Sequence, residues 1–179
     1  LRIESTAGSL EARAAIITVP TSLLARGAIC FKPPLPPAHQ QAIATLPLGV
    51  CNKVFFRLSN TGFAAALPSN LIGSTSTSRT CSWQARVADQ PLLMAYFGGD
   101  LSWELGQAGG LEPFARAEFR RLFGGAAVAE LGPAVATAWG SDPFSMGSYS
   151  AALPGYAASR EQLAVPVSPA GASAAPTGA

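Results

Sequence analysis

Apolar and polar residues alternate most clearly in the segment 50–58. Alternation with a period of two predicts a half-buried strand, because successive side chains of a strand point to opposite faces of the sheet. The two predicted faces are Val50, Asn52, Val54 and Phe56 on one side, and Cys51, Lys53, Phe55 and Arg57 on the other. Lys53 would therefore lie among strongly apolar neighbours, where a lysine is uncommon unless its amine reaches solvent at a sheet edge.

The pattern of apolar and polar positions along the whole chain predicts a mixed α/β (α+β) fold with antiparallel hairpins. Strands are expected at 1–6, 10–19, 81–87, 91–97 and 135–139, with a short one at 71–74. Helices are expected at 23–26, 38–46, 100–105 and 111–123, with one helical turn at 161–165. Residues 59–80 and 140–157 are rich in Ser and Gly and predict loops, and the composition of 168–179 predicts a disordered tail.

Several side chains have ordinary structural interpretations at this stage. Thr21 or Ser22 can cap the first short helix. Trp83 and Trp103 are predicted to be core residues. The phenylalanines of the 111–123 helix would face inward, and its outward, solvated face would consist of Arg116, Arg120 and Arg121. No strand–G-x-G-x-x-G–helix unit occurs, so the sequence does not predict a complete dinucleotide-binding half.

The composition is apolar for a domain of 179 residues, with 49% hydrophobic and 12% charged residues. Charged residues make up about 25% of a typical soluble domain, so either much of the surface is apolar or part of it packs against a further structure, as in a piece of a larger protein. The chain also opens in mid-pattern without a starting Met, which suggests a truncated beginning. The net charge of +2 forms no basic block, which argues against nucleic-acid binding, and the apolar runs are shorter than the roughly 20 residues of a membrane span.

The three cysteines, Cys30, Cys51 and Cys81, form no C-x-x-C pair. We interpret them as reduced core residues, which favours a cytoplasmic protein. His39 is the only histidine, whereas a metal site needs several ligands. No metal site is therefore predicted.

Three motifs follow one another along the chain. The first is A-I-I-T-V-P-T-S-L-L at 15–24, followed by F-K-P-P-L-P at 31–36. The second is G-V-C-N-K-V at 49–54, and the third is W-G-S-D-P-F-S-M-G-S-Y-S at 139–150. In this order and spacing they resemble the flavin-containing amine oxidase family, which includes monoamine oxidases, polyamine oxidases and lysine-specific histone demethylases. The resemblance covers roughly residues 1–167.

The resemblance implies two catalytic residues. Lys53 would face the flavin ring of FAD and hold a water at its N5 position, where a cation can help reoxidation by oxygen. Tyr149 would form one wall of an aromatic cage in front of the flavin. The structural alternatives are a lysine at a sheet edge and a loop tyrosine packed on the core.

The resemblance also implies a set of cofactor contacts. Trp139 and Phe144 would lie around the isoalloxazine ring, with plain core packing as the alternative. The turn at Thr18, Val19 and Pro20 would pass the ribityl and phosphate region through its backbone, although an ordinary strand end would have the same sequence. Ser148 occupies the position at which some monoamine oxidases carry a cysteine bonded to the flavin. A hydroxyl cannot form that thioether, so FAD would be held non-covalently.

The expected domain organisation follows from the same resemblance. Residues 1–28 would belong to the FAD-binding domain, 29–134 to the substrate-binding domain, and 135–167 would return toward the FAD-binding domain. The family's Gly-rich nucleotide-binding segment and its closing F-A-G-E segment are not found in this sequence. We therefore expect a partial enzyme that binds FAD weakly or not at all and is inactive alone.

The implied activity is oxidation of a primary or secondary amine to an imine, with O2 reduced to H2O2. A phytoene desaturase-like or protoporphyrinogen oxidase-like flavoenzyme is one alternative, and a non-catalytic module is another. The segment 59–80 contains no acidic cluster of the kind that a polyamine would call for, which favours a monoamine or an amino acid derivative. The sequence does not predict the oligomeric state.

Overall fold

The computed structural model describes residues 1–168 and contains two antiparallel sheets. The first is a hairpin of β1 (Arg2–Ser5) and β2 (Gly8–Glu11). The second has five strands in the order β4-β5-β6-β3-β7: β3 (Cys51–Leu58), β4 (Asn70–Leu71), β5 (Ser82–Ala85), β6 (Leu92–Gly98) and β7 (Leu131–Ala136). The tail predicted at 168–179 lies, apart from its first residue, outside the described residues.

Seven α-helices occur in the described part of the chain. They are α1 (Thr21–Ala25), α2 (Pro37–Ala44), α3 (Thr61–Ala66), α4 (Gly99–Gln107), α5 (Leu111–Phe123), α6 (Gly125–Val128) and α7 (Ser159–Ala164). None of the helices within residues 1–168 combines the length and apolar character needed to cross a membrane. The mixed α/β class predicted from the sequence is confirmed, as are the bounds of the helix at 111–123.

The large sheet has one buried face and one open face. Val54 and Phe56 of β3 are fully buried, together with Leu93, Ala95 and Phe97 of β6. These side chains pack against α4 and α5, whose contributions to the core include Leu101, Leu105, Ala115 and Phe119. The opposite face carries half-buried side chains at Lys53, Phe55, Met94 and Tyr96. The two faces predicted from the alternation at 50–58 are therefore confirmed.

Three sequence predictions about local elements are wrong. The strand predicted at 10–19 ends at Glu11, because β1 offers only four partners and Ile16, which is 91% exposed, pairs with no strand among the described residues. Thr21 and Ser22 do not cap α1: their hydroxyls donate instead to the carbonyls of Leu46 and Ser145. The strand predicted at 135–139 begins earlier, at Leu131, and lies at a sheet edge.

The predicted loop 59–80 contains the helix α3. Asn60 caps its beginning, since its Oδ1 accepts the Phe63 N–H at 3.1 Å. The carbonyls at its other end accept hydrogen bonds from the guanidinium of Arg86, which donates to Ala64 and Leu67. Because Arg86 is distant in sequence, local patterns could not reveal this second cap.

Three predicted side-chain environments are also wrong. Trp103 is 50% exposed rather than buried, and Cys30 is exposed, whereas Cys51 and Cys81 are buried. Arg116 does not lie on a solvated face. Its guanidinium donates to the carbonyls of Leu131 and Gly132 at 2.9 and 2.8 Å, and its Cζ lies 5.0 Å from the centroid of the Phe56 ring. These bonds join α5 to the edge strand β7.

Candidate functional site

A closed loop, residues 139–148, stands on the strand β3 and is called the 139–148 loop below. The two ends of the loop meet at a hydrogen bond from the Gly147 N–H to the Trp139 carbonyl, 2.8 Å long. The Ser145 hydroxyl donates to the same carbonyl at 3.1 Å. Compact loops whose ends lie close together are frequently functional.

Both ends of this loop are attached to consecutive residues of β3. At one end, the Oδ1 of Asn52 accepts the Trp139 N–H at 3.2 Å. At the other end, the Ser148 hydroxyl accepts the Cys51 N–H at 2.8 Å and donates to the Cys51 carbonyl at 2.7 Å. The backbone continues this attachment, since Gly49 and the segment 148–149 exchange hydrogen bonds of 2.8 and 2.9 Å.

An open cleft of about 430 Å³ lies beside the 139–148 loop. It is lined by Val19, Pro20, Thr21, Leu48, Trp139, Ser145, Gly147, Ser148 and Ser150. The structure thus brings together four of the predicted cofactor contacts from segments far apart in sequence: Val19, Pro20, Trp139 and Ser148. The first segment is held here by the hydroxyls of Thr21 and Ser22, which bond to Leu46 and Ser145.

Lys53 lies on the open face of the sheet, directly opposite Tyr96 of β6. Its backbone N–H donates to the Thr137 hydroxyl at 2.8 Å. Within residues 1–168, its ammonium forms no salt bridge and no hydrogen bond. The neighbouring Cys51 thiol, partial burial and the nearby Tyr149 raise the pKa of Tyr96 to about 12. Lys53 and Tyr96 therefore lie side by side on the open face, and the backbone of Tyr149 lies at Gly49, just before β3.

The remaining predicted contacts do not line the cleft. Thr18 and Phe144 are exposed, the latter by 81%. The Phe144 N–H bonds at 2.8 Å to the carboxylate of Asp142, which shapes the tip of the 139–148 loop. Tyr149 is 58% exposed and is fixed through its backbone. The cofactor roles of Thr18 and Phe144 remain predictions.

The sequence alone predicted no role for Asn52, Gly147 or Tyr96. Asn52 belongs to the G-V-C-N-K-V motif at 49–54. An amide on the buried face of an apolar strand indicates a hydrogen-bonded network. Gly147 has a φ of +150°, and a Cβ added there would lie 2.4 Å from the Cβ of Leu48. Tyr96 could not be predicted as a site residue, because its position opposite Lys53 is set by the register between β3 and β6.

Comparison with known proteins supplies the family. The family model of the flavin containing amine oxidoreductases matches residues 1–173. The chain belongs to this family. The recognition made from the three motifs is confirmed.

The curated relatives of this family member include plant enzymes. It is 30% identical to polyamine oxidase 5 of Oryza sativa subsp. japonica over 153 residues, which cover 82% of this chain and 30% of the relative. It is also 30% identical to the lysine-specific histone demethylase 1 homolog 3 of Arabidopsis thaliana, covering 76% of this chain and 9% of that protein. The chain thus spans less than a third of the relatives it matches.

A solved structure supports the fold of this amine oxidoreductase family member. A mutant of putrescine oxidase, made for structure-based redesign of cofactor binding, superposes with a TM-score of 0.63 at 20% identity. The match covers 85% of this chain and 34% of the putrescine oxidase. At this identity the likeness concerns the fold, which it confirms.

Proposed function

We propose that this chain forms the flavin-facing and substrate-facing wall of an FAD-dependent amine oxidase that converts a primary or secondary amine to an imine. The observation that carries the proposal is the cleft, where Val19, Pro20, Trp139 and Ser148 meet. In this proposal, residues 1–28 and 135–167 belong to the FAD side and 29–134 to the substrate side.

The lining of the cleft suits a non-covalently held flavin. Trp139 is 44% exposed and offers an aromatic side chain to a flat ring. Serine hydroxyls and backbone groups supply polar contacts, and no cysteine lines the cleft among the described residues. The Ser148 hydroxyl is already engaged by the Cys51 backbone on both sides. These features support contacts from Val19, Pro20, Trp139 and Ser148 without a covalent link.

When bound, FAD would supply the two-electron chemistry, accepting a hydride from the carbon beside the amine nitrogen and passing two electrons to O2 to give H2O2. The residues of this chain would orient the amine and adjust its charge. The aromatic side chains of Tyr96 and Tyr149 would desolvate the nitrogen, which favours the neutral, reactive amine. The ammonium of Lys53, which has no carboxylate partner within residues 1–168, would hold a water and favour negative charge beside it.

The substrate class divides between two kinds of amine. The relatives named polyamine oxidases favour a polyamine. The segment 59–80, which contains α3 and β4, has no Asp or Glu to pair with the cationic nitrogens of a polyamine and favours a monoamine or an amino acid derivative. Because this chain is expected to be inactive alone, peroxide formation is measured in a full-length enzyme that contains it, where putrescine, spermidine and benzylamine as substrates separate the two classes. A flavoenzyme of the desaturase kind would give peroxide with none of them.

Photolabelling tests the cleft directly, and it detects weak binding. The full chain is irradiated with an azido-substituted flavin and digested, and the labelled peptides are identified by mass spectrometry. We expect labels at 19–21 and 139–150 that excess FAD prevents. The Trp139→Ala variant should lose them, whereas the matched Trp103→Ala variant, changed at an exposed tryptophan outside the cleft, should keep them. Labels confined to other segments would refute the assignment.

Two further measurements test the affinity and the role of Lys53. We expect the purified chain to lack the flavin absorption at ~450 nm, because we propose that it binds FAD weakly or not at all on its own. A stoichiometric flavin spectrum would contradict that expectation. In a full-length enzyme that contains this chain, at saturating FAD, Lys53→Met should lower the rate of peroxide formation by about tenfold or more. The matched control Arg57→Met changes a cation on the same face of β3 and should leave the rate unchanged.

A further inference from the structure

We propose that Asn52 is a positioning residue that holds the cleft wall in place by joining three elements through one buried amide. Asn52 is 3% exposed. Its Nδ2 donates to the Ser102 hydroxyl of α4 at 3.1 Å, and its Oδ1 accepts the Trp139 N–H at 3.2 Å and the Thr137 hydroxyl at 3.3 Å. The inference rests on the proposed function only where it concerns the flavin cleft.

The acceptor side of this amide controls two predicted site residues. Trp139 lines the cleft, and its N–H has Asn52 as its partner. Thr137 in turn accepts the backbone N–H of Lys53 at 2.8 Å, so its hydroxyl connects Asn52 to the strand position that carries the ammonium. One oxygen atom therefore orients the backbone at both the cleft wall and the open sheet face.

The donor side fixes the amide itself. Ser102 is fully buried, and its hydroxyl and carbonyl lie 3.1 and 3.4 Å from Nδ2. Gly106, one turn further along α4, leaves room for the amide, since a Cβ there would lie 3.1 Å from Nδ2. Partners on both sides of the amide set its orientation, and an amide with a fixed orientation is a rigid anchor.

Residues 51 and 52 hold opposite ends of the 139–148 loop. Cys51 holds the end of the 139–148 loop at Ser148 through its backbone, and Asn52 holds the beginning at Trp139 through its side chain. The two ends of the loop are also joined to each other by the hydrogen bond from the Gly147 N–H to the Trp139 carbonyl. Loss of the Asn52 acceptor should free the Trp139 end while the Ser148 end stays attached.

Hydrogen exchange of the full chain, resolved at single amides, tests the assignment. In Asn52→Leu, which keeps the side-chain volume without the polar atoms, exchange at the Trp139 amide should accelerate roughly tenfold relative to the amides of the β3–β6 ladder. In Asn52→Asp, which keeps an oxygen acceptor at the same place, the Trp139 amide should keep its relative protection. Ser102→Ala, which removes only the donor-side hydroxyl, should also keep it.

Two results would overturn the proposal: equal acceleration of the Trp139 and ladder amides in Asn52→Leu, or an Asn52→Asp variant that matches Asn52→Leu. The ladder amides separate local release from general destabilisation, because a merely structural role would move both sets together. Photolabelling of the wild-type chain and of the same variants distinguishes the proposal for Asn52 from the proposal for the flavin cleft. A wild-type chain without cleft labels would refute the flavin site and leave the exchange result standing.

Discussion

The hydroxyl of Ser148 replaces a strand partner for Cys51: it accepts the Cys51 N–H at 2.8 Å and donates to the Cys51 carbonyl at 2.7 Å. A single side chain thus satisfies both backbone groups of one residue in the buried part of β3. By the family resemblance, Ser148 also occupies the position at which some monoamine oxidases carry a cysteine bonded to the flavin. Its structural bonds give a reason, independent of the flavin, for a hydroxyl at this position.

Ser148→Ala should destabilise the fold by about 1–3 kcal/mol, because it leaves the N–H and the carbonyl of Cys51 without their partner. The free energy of unfolding in urea measures the loss. Ser141→Ala is the matched control, since its hydroxyl makes one exposed bond, 3.2 Å long, to the carbonyl of Ala138 just before the same loop. A Ser148→Ala variant as stable as Ser141→Ala would contradict this account.

Gly147→Ala should be more damaging than a change at an ordinary turn glycine. The added Cβ would lie 2.4 Å from the Cβ of Leu48, in addition to the strain of a φ of +150°. Gly155 also has a positive φ, +85°, but an added Cβ meets nothing within 4 Å, so Gly155→Ala isolates the backbone cost of about 1–2 kcal/mol. Urea unfolding of both variants should show the larger loss at Gly147, and equal losses would exclude the steric contribution.

Acid should weaken the contact between α5 and the segment before β5. The hydrogen bond from Arg121 lowers the pKa of the Glu118 carboxyl, helped by the hydroxyl of Thr80, although burial opposes the shift. Because the folded pKa is below the unfolded value of about 4.3, the carboxylate stabilises the fold above that pH. Its contribution is lost as the pH falls through the folded pKa.

Two variants test this pH dependence through the free energy of unfolding. Glu118→Gln should flatten the decrease in stability below about pH 4.3, since no carboxyl remains to titrate at this site. Arg121→Met removes the largest cause of the lowered pKa and brings the folded pKa closer to the unfolded value, so the loss of stability below about pH 4.3 should be smaller than in the wild type. An unchanged acid profile in both variants would show that Glu118 does not contribute.

The cysteines should differ in their reactivity toward a thiol reagent such as dithionitrobenzoate. Cys30 is exposed, whereas Cys51 is 4% and Cys81 3% exposed. Burial, together with the nearby charge of Glu118, raises the pKa of Cys81 to about 12, so little thiolate exists at pH 8. We expect one fast-reacting thiol in the folded chain.

Substitution identifies that thiol. Cys30→Ser should abolish the fast reaction, and the matched Cys81→Ser variant should leave one fast thiol. Unfolding the chain should expose all three cysteines. A fast reaction that survives in Cys30→Ser would mean that the sheet opens more readily than its burial indicates.

The local pattern of apolar and polar residues predicted those elements of the fold that are determined by residues close together in the sequence. The alternation at 50–58 gave the two faces of β3 because its period matches the pleat of a strand. The helix at 111–123 was predicted with its bounds, since its apolar stripe recurs at helical spacing and Gly124 ends it. The strand predicted at 10–19 failed for the opposite reason: β-branched residues favour a strand only where another strand pairs with them.

The sequence by itself determined the family, through three motifs in order, and the class of the fold, through the periodicity of its strands and helices. Only the tertiary structure decided that Val19, Trp139 and Ser148 share one cleft, and that Asn52 and Cys51 attach opposite ends of one loop. These relationships join residues about 90 to 130 positions apart. They depend on the register with which β3 pairs with its neighbouring strands. That register is set by packing of the whole core rather than by any local pattern.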